Sequence, residues 1–199
     1  MLPSGTKGQP AHRDAFRCSA PTDHQRRRVR RIRIGAGNRQ EQERHLRFLM
    51  ETSQIARLLA RDARTRSIVR DVVPKDGLPT MIDAFPFAFV CNTHDGDKPG
   101  QHWIALYVDA DRRGEYFCSY GLPPLHGAFR VFLNEHCSEW SHNAKRLQSP
   151  LSNVCGQYCI AYLLLRCNGI PMNAFVNTFG SDLVANDCRA YLINHPRFL

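Results

Sequence analysis

The feature that most constrains the fold is an almost uncharged stretch at residues 147–169, LQSPLSNVCGQYCIAYLLLRCNG. From Cys155 to Cys167 the only formally charged side chain is Arg166. A helix that is apolar on every side is buried in the protein core. The segment after Cys167, Asn-Gly-Ile-Pro, contains the glycine and the proline that typically end a helix. The sequence therefore predicts a core helix that begins at Cys155, after a polar, turn-forming lead-in.

Cys155 is a candidate nucleophile because it stands at the start of this helix. The positive end of a helix dipole favours a thiolate and lowers the pKa of a cysteine placed there. Most buried cysteines are nevertheless inert packing residues, and Cys155 considered alone fits that interpretation as well. Other parts of the chain must decide between the two.

Net charge divides the chain into two parts. The 199 residues carry a formal net charge of +9. Residues 1–49 hold 12 Lys and Arg against 4 Asp and Glu, whereas residues 50–199 hold 15 against 14. We therefore expect a basic, disordered N-terminal extension at 1–49 and a single folded domain at 50–199.

The N-terminal extension contains a basic block, RRRVRRIR, that runs from Arg26 to Arg33. Such a run has little apolar surface to bury, and it can bind DNA or serve as a nuclear-import signal. The alternative is a solvated tail without a function. The sequence leaves both interpretations open.

Eight cysteines raise the question of disulfide bonds. The chain opens with MLPSGTKGQP, which lacks the apolar core of a signal peptide, and it contains no C-x-x-C pair. We therefore expect reduced cysteines in an intracellular protein, and the basic block allows for the nucleus. No apolar run approaches the ~20 residues of a membrane helix, so no membrane partner is expected. The expected protein is a monomer without a metal or a cofactor.

Hydrophobic periodicity outlines the other elements of the domain. Helical spacing of leucines and isoleucines predicts a helix within residues 40–70, with a new start capped by Thr52 or Ser53. Further helices are expected at 125–136 and, capped by Ser181, at 182–194. Apolar and aromatic runs predict strands at 84–91, 103–109, 115–119 and 145–148. Strands that lie between early and late helical blocks indicate an α+β fold rather than alternating βαβ units.

Two polar residues extend the chemistry of Cys155. His102 stands where a polar loop enters a predicted strand, and histidine is the side chain best suited to general-base work near neutral pH. A histidine beside a cysteine can form an ion pair that activates the thiol. Gln148, seven residues before Cys155, can donate an amide N–H to a developing oxyanion, together with the Cys155 backbone N–H.

Three motifs in a fixed order give the chain a specific resemblance. They read PGQHW around His102, then CSYG at the end of the predicted hairpin, then LQ-x₆-CG-x-YC around Gln148 and Cys155. This order resembles the adenovirus-type (adenain-like) cysteine endopeptidases, and most closely those of Polinton or Maverick DNA transposons. The SUMO-deconjugating proteases are more distant relatives with the same order of residues. The similarity covers residues 50–194 and includes a late Asn186-Asp187 pair.

The resemblance implies a papain-like cysteine proteinase fold. In such a fold a central mixed sheet is flanked by helices, and the nucleophile lies at the N-terminus of a buried helix. It further implies that Cys155 is the nucleophile, His102 its base and Gln148 the oxyanion donor. The implied activity is that of a hydrolase, a cysteine endopeptidase that cleaves viral or transposon proteins. A protein or peptide substrate is the implied partner.

One position departs from the family pattern. The family has an acid that orients the histidine immediately before the S-Y-G turn, and this chain has Cys118 there. Glu115 is an odd number of residues away on the same strand and is expected on the opposite face, as is Ser119. Asp109 is expected at the other end of the hairpin. Two interpretations remain: a protease that works with Cys155 and His102 at a reduced rate, or a catalytically impaired binding protein with a protease fold.

Overall fold

The computed structural model describes residues 50–98 and 100–194. The expected basic extension at 1–49, with its block from Arg26 to Arg33, lies outside the described residues, as does Pro99 of the PGQHW motif. Among the helices of the described part, none is long and apolar enough to cross a membrane.

Six helices and five strands make up the described part of the domain. The helices are α1 (Thr52–Leu59), α2 (Ala63–Ile68), α3 (Gly127–His136), α4 (Cys155–Cys167), α5 (Met172–Val176) and α6 (Leu183–Ile193). The strands are β1 (Val69–Pro74), β2 (Phe87–Asn92), β3 (Trp103–Val108), β4 (Arg113–Phe117) and β5 (Glu139–His142).

The five strands form one mixed sheet in the order β1-β2-β3-β4-β5. The central pairs β2–β3 and β3–β4 are antiparallel, whereas the outer pairs β1–β2 and β4–β5 are parallel. All residues of β2 and β3 are buried, so both faces of the sheet centre are covered. This architecture, with helices on the sheet and a cysteine starting a buried helix, confirms the predicted α+β, papain-like class.

The uncharged stretch forms α4 as predicted, and 11 of its 13 residues are buried. Its apolar side chains pack in one cluster with those of β3 residues Trp103, Ala105 and Tyr107, which alternate along one face of the strand. The ring of Tyr162 stacks on Phe117 of β4 with centroids 4.6 Å apart. The helix ends at the predicted glycine, where Gly169 has a φ of 89°.

The opposite face of the sheet packs against α3. Phe129, Phe132 and Leu133 of this helix join Phe87 and Phe89 of β2 in a second apolar cluster. Phe132 meets both β2 rings edge-on, at 6.0 Å and 5.9 Å between centroids. Such edge-to-face pairs stabilise a core by more than the free energy expected from the apolar area that they bury.

The prediction of a strand at residues 145–148 is wrong. The strand that pairs with β4 is instead β5, which lies a few residues before the predicted segment in the chain. The backbone N–H groups of Leu147 and Gln148 both donate to the carbonyl of Ser119, at 2.8 Å and 3.1 Å. Two donors on one acceptor do not propagate a ladder, so this segment crosses the end of the sheet without joining it.

The helices differ from the prediction in three respects. The helix expected within 40–70 is two short helices in its described part, and strand β1 follows them. Glu51 caps α1 through a reciprocal box with Gln54, rather than Thr52 or Ser53. Asp182, not Ser181, caps α6, because its carboxylate accepts from two backbone N–H groups of the first turn.

Two glycines provide a test of the turn after β4. Gly121 has a φ of 69°, and a Cβ there would lie 2.6 Å from the carbonyl carbon of Lys145. Gly127 starts α3 with nothing within 4 Å of its Cβ position. We expect Gly121→Ala to lower the free energy of unfolding by more than about 1 kcal/mol. Gly127→Ala should leave it unchanged or raise it by less than about 1 kcal/mol.

Urea unfolding of both variants beside the parent chain measures these changes. Equal midpoints for the two alanine variants would contradict a conformational requirement for glycine at position 121.

Candidate active site

His102 lies directly before β3, at the end of a loop that hydrogen bonds hold in place. Its carbonyl accepts the backbone N–H of Thr93 at 2.9 Å. The buried side chain of Asn92, at the end of β2, accepts the N–H groups of His94 and Gln101 at 3.0 Å and 3.3 Å. These bonds close the polar loop between the two strands and place the imidazole at the rim of the sheet, as the sequence predicts.

The imidazole of His102 meets a sulfur and an aromatic ring. Its Nε2 lies 3.4 Å from the Sγ of Cys118. The ring of Tyr120 stacks on it with centroids 4.9 Å apart and an angle of 29° between planes. Burial lowers the pKa of His102 to about 4, because the charged imidazolium loses its solvation. The imidazole is therefore neutral at neutral pH.

Cys155 is the first residue of α4, and only 3% of it is exposed. Burial raises the pKa of its thiol, and the backbone N–H groups of Trp103, Gly156 and Cys155 itself act in the opposite direction. The lowered pKa expected from the helix terminus is therefore wrong for this structure. The N–H groups of the first turn do favour the thiolate, but desolvation outweighs them.

The structure brings Cys155 to the histidine strand through Trp103. Cys155 and Trp103, the residue directly after His102, pack in the same apolar cluster. The indole Nε1 of Trp103 donates to the Met50 carbonyl at 3.1 Å, which fixes the start of β3 against the chain ahead of α1. The start of α4 and the start of β3 therefore meet at one junction, with Cys155 on the helix and His102 directly before the strand.

Gln148 is fully buried beside this junction. Its Oε1 accepts the hydroxyl of Ser119 at 2.6 Å, and its Nε2 donates to the Ser152 carbonyl at 2.8 Å. These bonds assign the oxygen and nitrogen of the amide. A primary amide carries two N–H donors, and the bond to Ser152 uses one of them.

Asp187 of α6 anchors the loop before Cys155, and it is 1% exposed. Its two carboxylate oxygens accept the backbone N–H of Ser149, both at 3.3 Å. The hydroxyl of Tyr158 lies 3.0 Å from Asp187 Oδ1 and 2.9 Å from the Leu147 carbonyl. One hydroxyl proton serves only one of these acceptors, so a proton on Asp187 would satisfy the other contact. In the sequence, the only signal for this role was the Asn186-Asp187 pair.

The two other carboxylates near Cys118 in the sequence, Glu115 and Asp109, form hydrogen bonds with other groups. Glu115 accepts hydrogen bonds from the hydroxyl of Tyr162 and from Nε of Arg166, the latter at 2.7 Å. Asp109 accepts two backbone N–H groups of the β3–β4 turn, from Asp111 and Arg113, at 3.0 Å and 2.8 Å. Both placements agree with the sequence-based expectation that neither residue replaces the missing acid.

Asn143 is a residue of the site that sequence reasoning missed. It is buried directly after β5, where its side-chain oxygen accepts the Cys118 N–H at 2.9 Å. Its amide nitrogen donates to the Cys118 carbonyl at 2.8 Å. Asn143 thus continues the β4–β5 pairing with a side chain and fixes the backbone at Cys118. An isolated asparagine after a four-residue strand carries no motif that could have revealed this contact.

The described residues give no indication of a metal centre. Within 50–98 and 100–194, no group of three or more His, Cys, Asp or Glu side chains is placed to hold a metal ion. The thiol of Cys155 lies at the start of α4, the imidazole of His102 directly before β3, and the primary amide of Gln148 in the loop ahead of α4.

The sequence of the chain is similar to that of a viral cysteine protease. The cysteine protease of African swine fever virus is 29% identical over 111 residues, an alignment that covers 48% of this chain and 39% of the viral protein. The alignment therefore spans less than half of that relative. No family model matches the chain.

Three solved structures share parts of the architecture. The African swine fever virus protease has 21% identity and a TM-score of 0.49, covering 72% of this chain and 67% of its own. The SUMO protease Ulp1, with its catalytic cysteine oxidized to a sulfinic acid, has 14% identity and a TM-score of 0.43, covering 89% and 94%. The central domain of an uncharacterized Legionella pneumophila protein has 16% identity and a TM-score of 0.41, covering 76% and 98%. All three scores lie below 0.5, so the fold is defined by the strands and helices described above.

The protonation of Asp187 provides a stability test. Burial raises its pKa to about 6, above the value of about 3.9 for an unfolded chain. The folded protein thus keeps a proton that the unfolded chain releases, and the contribution of Asp187 to stability falls as the pH rises from about 4 to about 6. Relative to Asp187→Asn, the parent chain should lose up to about 3 kcal/mol over this range, at about 1.4 kcal/mol per pKa unit.

Urea unfolding at a series of pH values measures this difference. The buried His102 contributes an opposite slope, but it is present in both proteins and cancels. Asp182→Asn, which keeps a capping side chain on the same helix, is the matched control. Parallel pH profiles for the parent chain and Asp187→Asn would rule out a raised pKa at Asp187.

Proposed function

We propose that the chain is a cysteine-type endopeptidase in which Cys155 is the nucleophile and His102 the general base. The observation that carries this proposal is that Cys155, the first residue of the buried helix α4, packs in the same apolar cluster as Trp103, the residue directly after His102. Sequence similarity to a viral cysteine protease supports the same reaction class. The order of the motifs around His102, Cys118 and Cys155 supports the finer assignment to adenovirus-type enzymes of viral or transposon origin.

The proposed reaction starts from a neutral thiol and a neutral imidazole. Cys155 loses its proton to His102 as the sulfur attacks the substrate carbonyl, because neither charged form is favoured in the buried resting site. The resulting imidazolium then protonates the leaving amine. A water molecule, deprotonated by His102, releases the acyl group from its thioester with Cys155.

The developing oxyanion would be stabilised by N–H donors at the start of α4. The Cys155 backbone N–H and the second N–H of the Gln148 amide are the proposed donors. The bonds of Gln148 to Ser119 and Ser152 hold its amide in place before the substrate arrives. Such preorganised donors are effective because they need no rearrangement during the reaction.

The second candidate function is a binding protein that keeps the protease fold without turnover. Two observations favour it: Cys118 occupies the position of the family's acid, and burial raises the pKa of Cys155. A protein segment would then be bound at the same junction but not cleaved. The two candidates differ only in the chemical step, so measurements on single-site variants separate them.

Peptide hydrolysis by single-site variants tests the catalytic assignment. Cys155→Ala should abolish cleavage of a quenched-fluorescence peptide library, and Gln148→Ala should lower kcat by about 10² to 10³-fold. Cys118→Asp should raise kcat, because a carboxylate beside His102 stabilises the imidazolium that forms. If neither the parent chain nor Cys118→Asp cleaves more than Cys155→Ala does, the binding-protein candidate replaces the endopeptidase.

Thiol labelling tests the protonation state of the resting site. An ordinary cysteine has a pKa of about 8.5. Because burial raises the pKa of Cys155, its labelling by iodoacetamide should reach half of the maximal rate at a pH above that value. Peptide mapping by mass spectrometry separates Cys155 from the other cysteines. A midpoint well below pH 8.5 would instead indicate a resting thiolate–imidazolium pair.

A further inference from the structure

We propose that Cys118 is a positioning residue for His102, whose sulfur accepts a hydrogen bond from the Nε2–H of the imidazole. The contact fixes the tautomer in which Nδ1 carries the lone pair that takes the proton of Cys155. The catalytic consequence rests on the endopeptidase function proposed above, whereas the contact itself does not. The thiol would then orient the imidazole through a neutral hydrogen bond. A carboxylate orients the histidine in the family that the sequence resembles.

The distance and the stacking define a single orientation of the ring. Nε2 of His102 lies 3.4 Å from Sγ of Cys118, within the range of a hydrogen bond to sulfur. The stacked ring of Tyr120 restricts rotation of the imidazole out of its plane. In a neutral imidazole one nitrogen is a donor and the other an acceptor. A donor at Nε2 therefore makes Nδ1 the acceptor.

The turn after β4 favours the sulfur as the acceptor in this contact. Burial raises the pKa of Cys118, and the nearby backbone N–H groups of Leu122, Tyr120 and Gly121 oppose that shift. The turn is closed by the Gly121 N–H, which donates to the Cys118 carbonyl at 2.8 Å. Successive N–H groups around one atom form a cavity that favours electron-rich groups. These N–H groups thus favour electron density on the sulfur, which suits it to accept the imidazole N–H.

The backbone of Cys118 is fixed independently of its side chain. The amide of Asn143 binds both the N–H and the carbonyl of Cys118, at 2.9 Å and 2.8 Å. Cys118 is 2% exposed and packs in the same apolar cluster as Phe129 and Cys91. The sulfur cannot turn away towards solvent, so its position relative to His102 is determined by the fold.

A thiol and a carboxylate would have different effects on the imidazole. A neutral sulfur acceptor orients the ring but provides little charge to stabilise an imidazolium, in agreement with the lowered pKa of His102. A carboxylate at the same position would favour the charged form. The role of Cys118 therefore predicts separate effects of its replacement on the tautomer and on the pKa of His102.

Nitrogen-15 NMR of the full chain measures the tautomer of His102 directly, with its signals assigned by their loss in His102→Gln. The parent chain should show the Nε2–H tautomer above pH 6. Cys118→Ser should keep it, because a hydroxyl oxygen also accepts, whereas Cys118→Ala should give a mixture of both tautomers. Cys118→Asp should keep the Nε2–H tautomer and raise the pKa of His102.

Cys91→Ala is the matched control. It removes a sulfur from the same apolar cluster, in strand β2, without removing the contact with His102. It should leave the tautomer and kcat unchanged, whereas Cys118→Ala should lower kcat by about tenfold with little change in KM. Cys118→Ser and the parent chain still decide the proposal if Cys118→Ala does not fold.

The outcomes separate this inference from the proposed endopeptidase. An Nδ1–H tautomer in the parent chain, or the same single tautomer in Cys118→Ala, would overturn the positioning role even if peptides are hydrolysed. The expected tautomers without hydrolysis in any variant would support the positioning contact and overturn the endopeptidase. A loss of kcat in Cys91→Ala equal to that in Cys118→Ala would show that the effect arises from packing.

Discussion

The geometry of the site depends on the hydrogen bonds that tie the end of β4 to the loop before α4. The Ser119 carbonyl accepts the N–H groups of Leu147 and Gln148, and its hydroxyl donates to the Gln148 side chain. Cys118, immediately before it, contacts His102 across the sheet. Because α4 is buried on nearly all sides, the loop at its start cannot shift without disturbing the core. The imidazole, the buried amide of Gln148 and the loop that leads into α4 are consequently linked by one chain of contacts.

The loop before α4 is held from its other side by α4 and α6. Tyr158, on the first turn of α4, reaches back to the Leu147 carbonyl, and Asp187 of α6 accepts the Ser149 N–H. Asn186 also donates to the Leu147 carbonyl, at 3.2 Å. Buried polar groups of this kind are stabilising only when all of them are satisfied. The loop that presents the thiol thus depends on a polar network of its own as well as on the apolar core around it.

The sequence predicts those parts of the fold that a local pattern determines. The uncharged run predicts α4, and the aromatic and β-branched runs predict β2, β3 and β4, since burial selects these residues locally. Strand β5 escapes prediction because its four residues alternate between exposed and half-buried positions at the sheet edge. The site follows the same division: His102, Gln148 and Cys155 carry motifs, whereas Asn143 acts through a contact 25 residues away in the chain. The net effect of burial on the pKa of Cys155 was also inaccessible, because it depends on the packing around the thiol.

The burial of the site gives a physical reason for a thiol at position 118. A carboxylate in such a place loses its solvation, as the raised pKa of the buried Asp187 illustrates. An aspartate at 118 would need the N–H groups of the turn and a charged imidazole to remain ionised. Cysteine removes that requirement, since a neutral thiol is compatible with the apolar cluster of Phe129 and Cys91. A thiol at 118 thus favours stability of the resting state over stabilisation of the imidazolium, a common opposition in active sites. The proposed orientation of the imidazole needs only an acceptor for its Nε2–H, which a neutral sulfur provides without a charge.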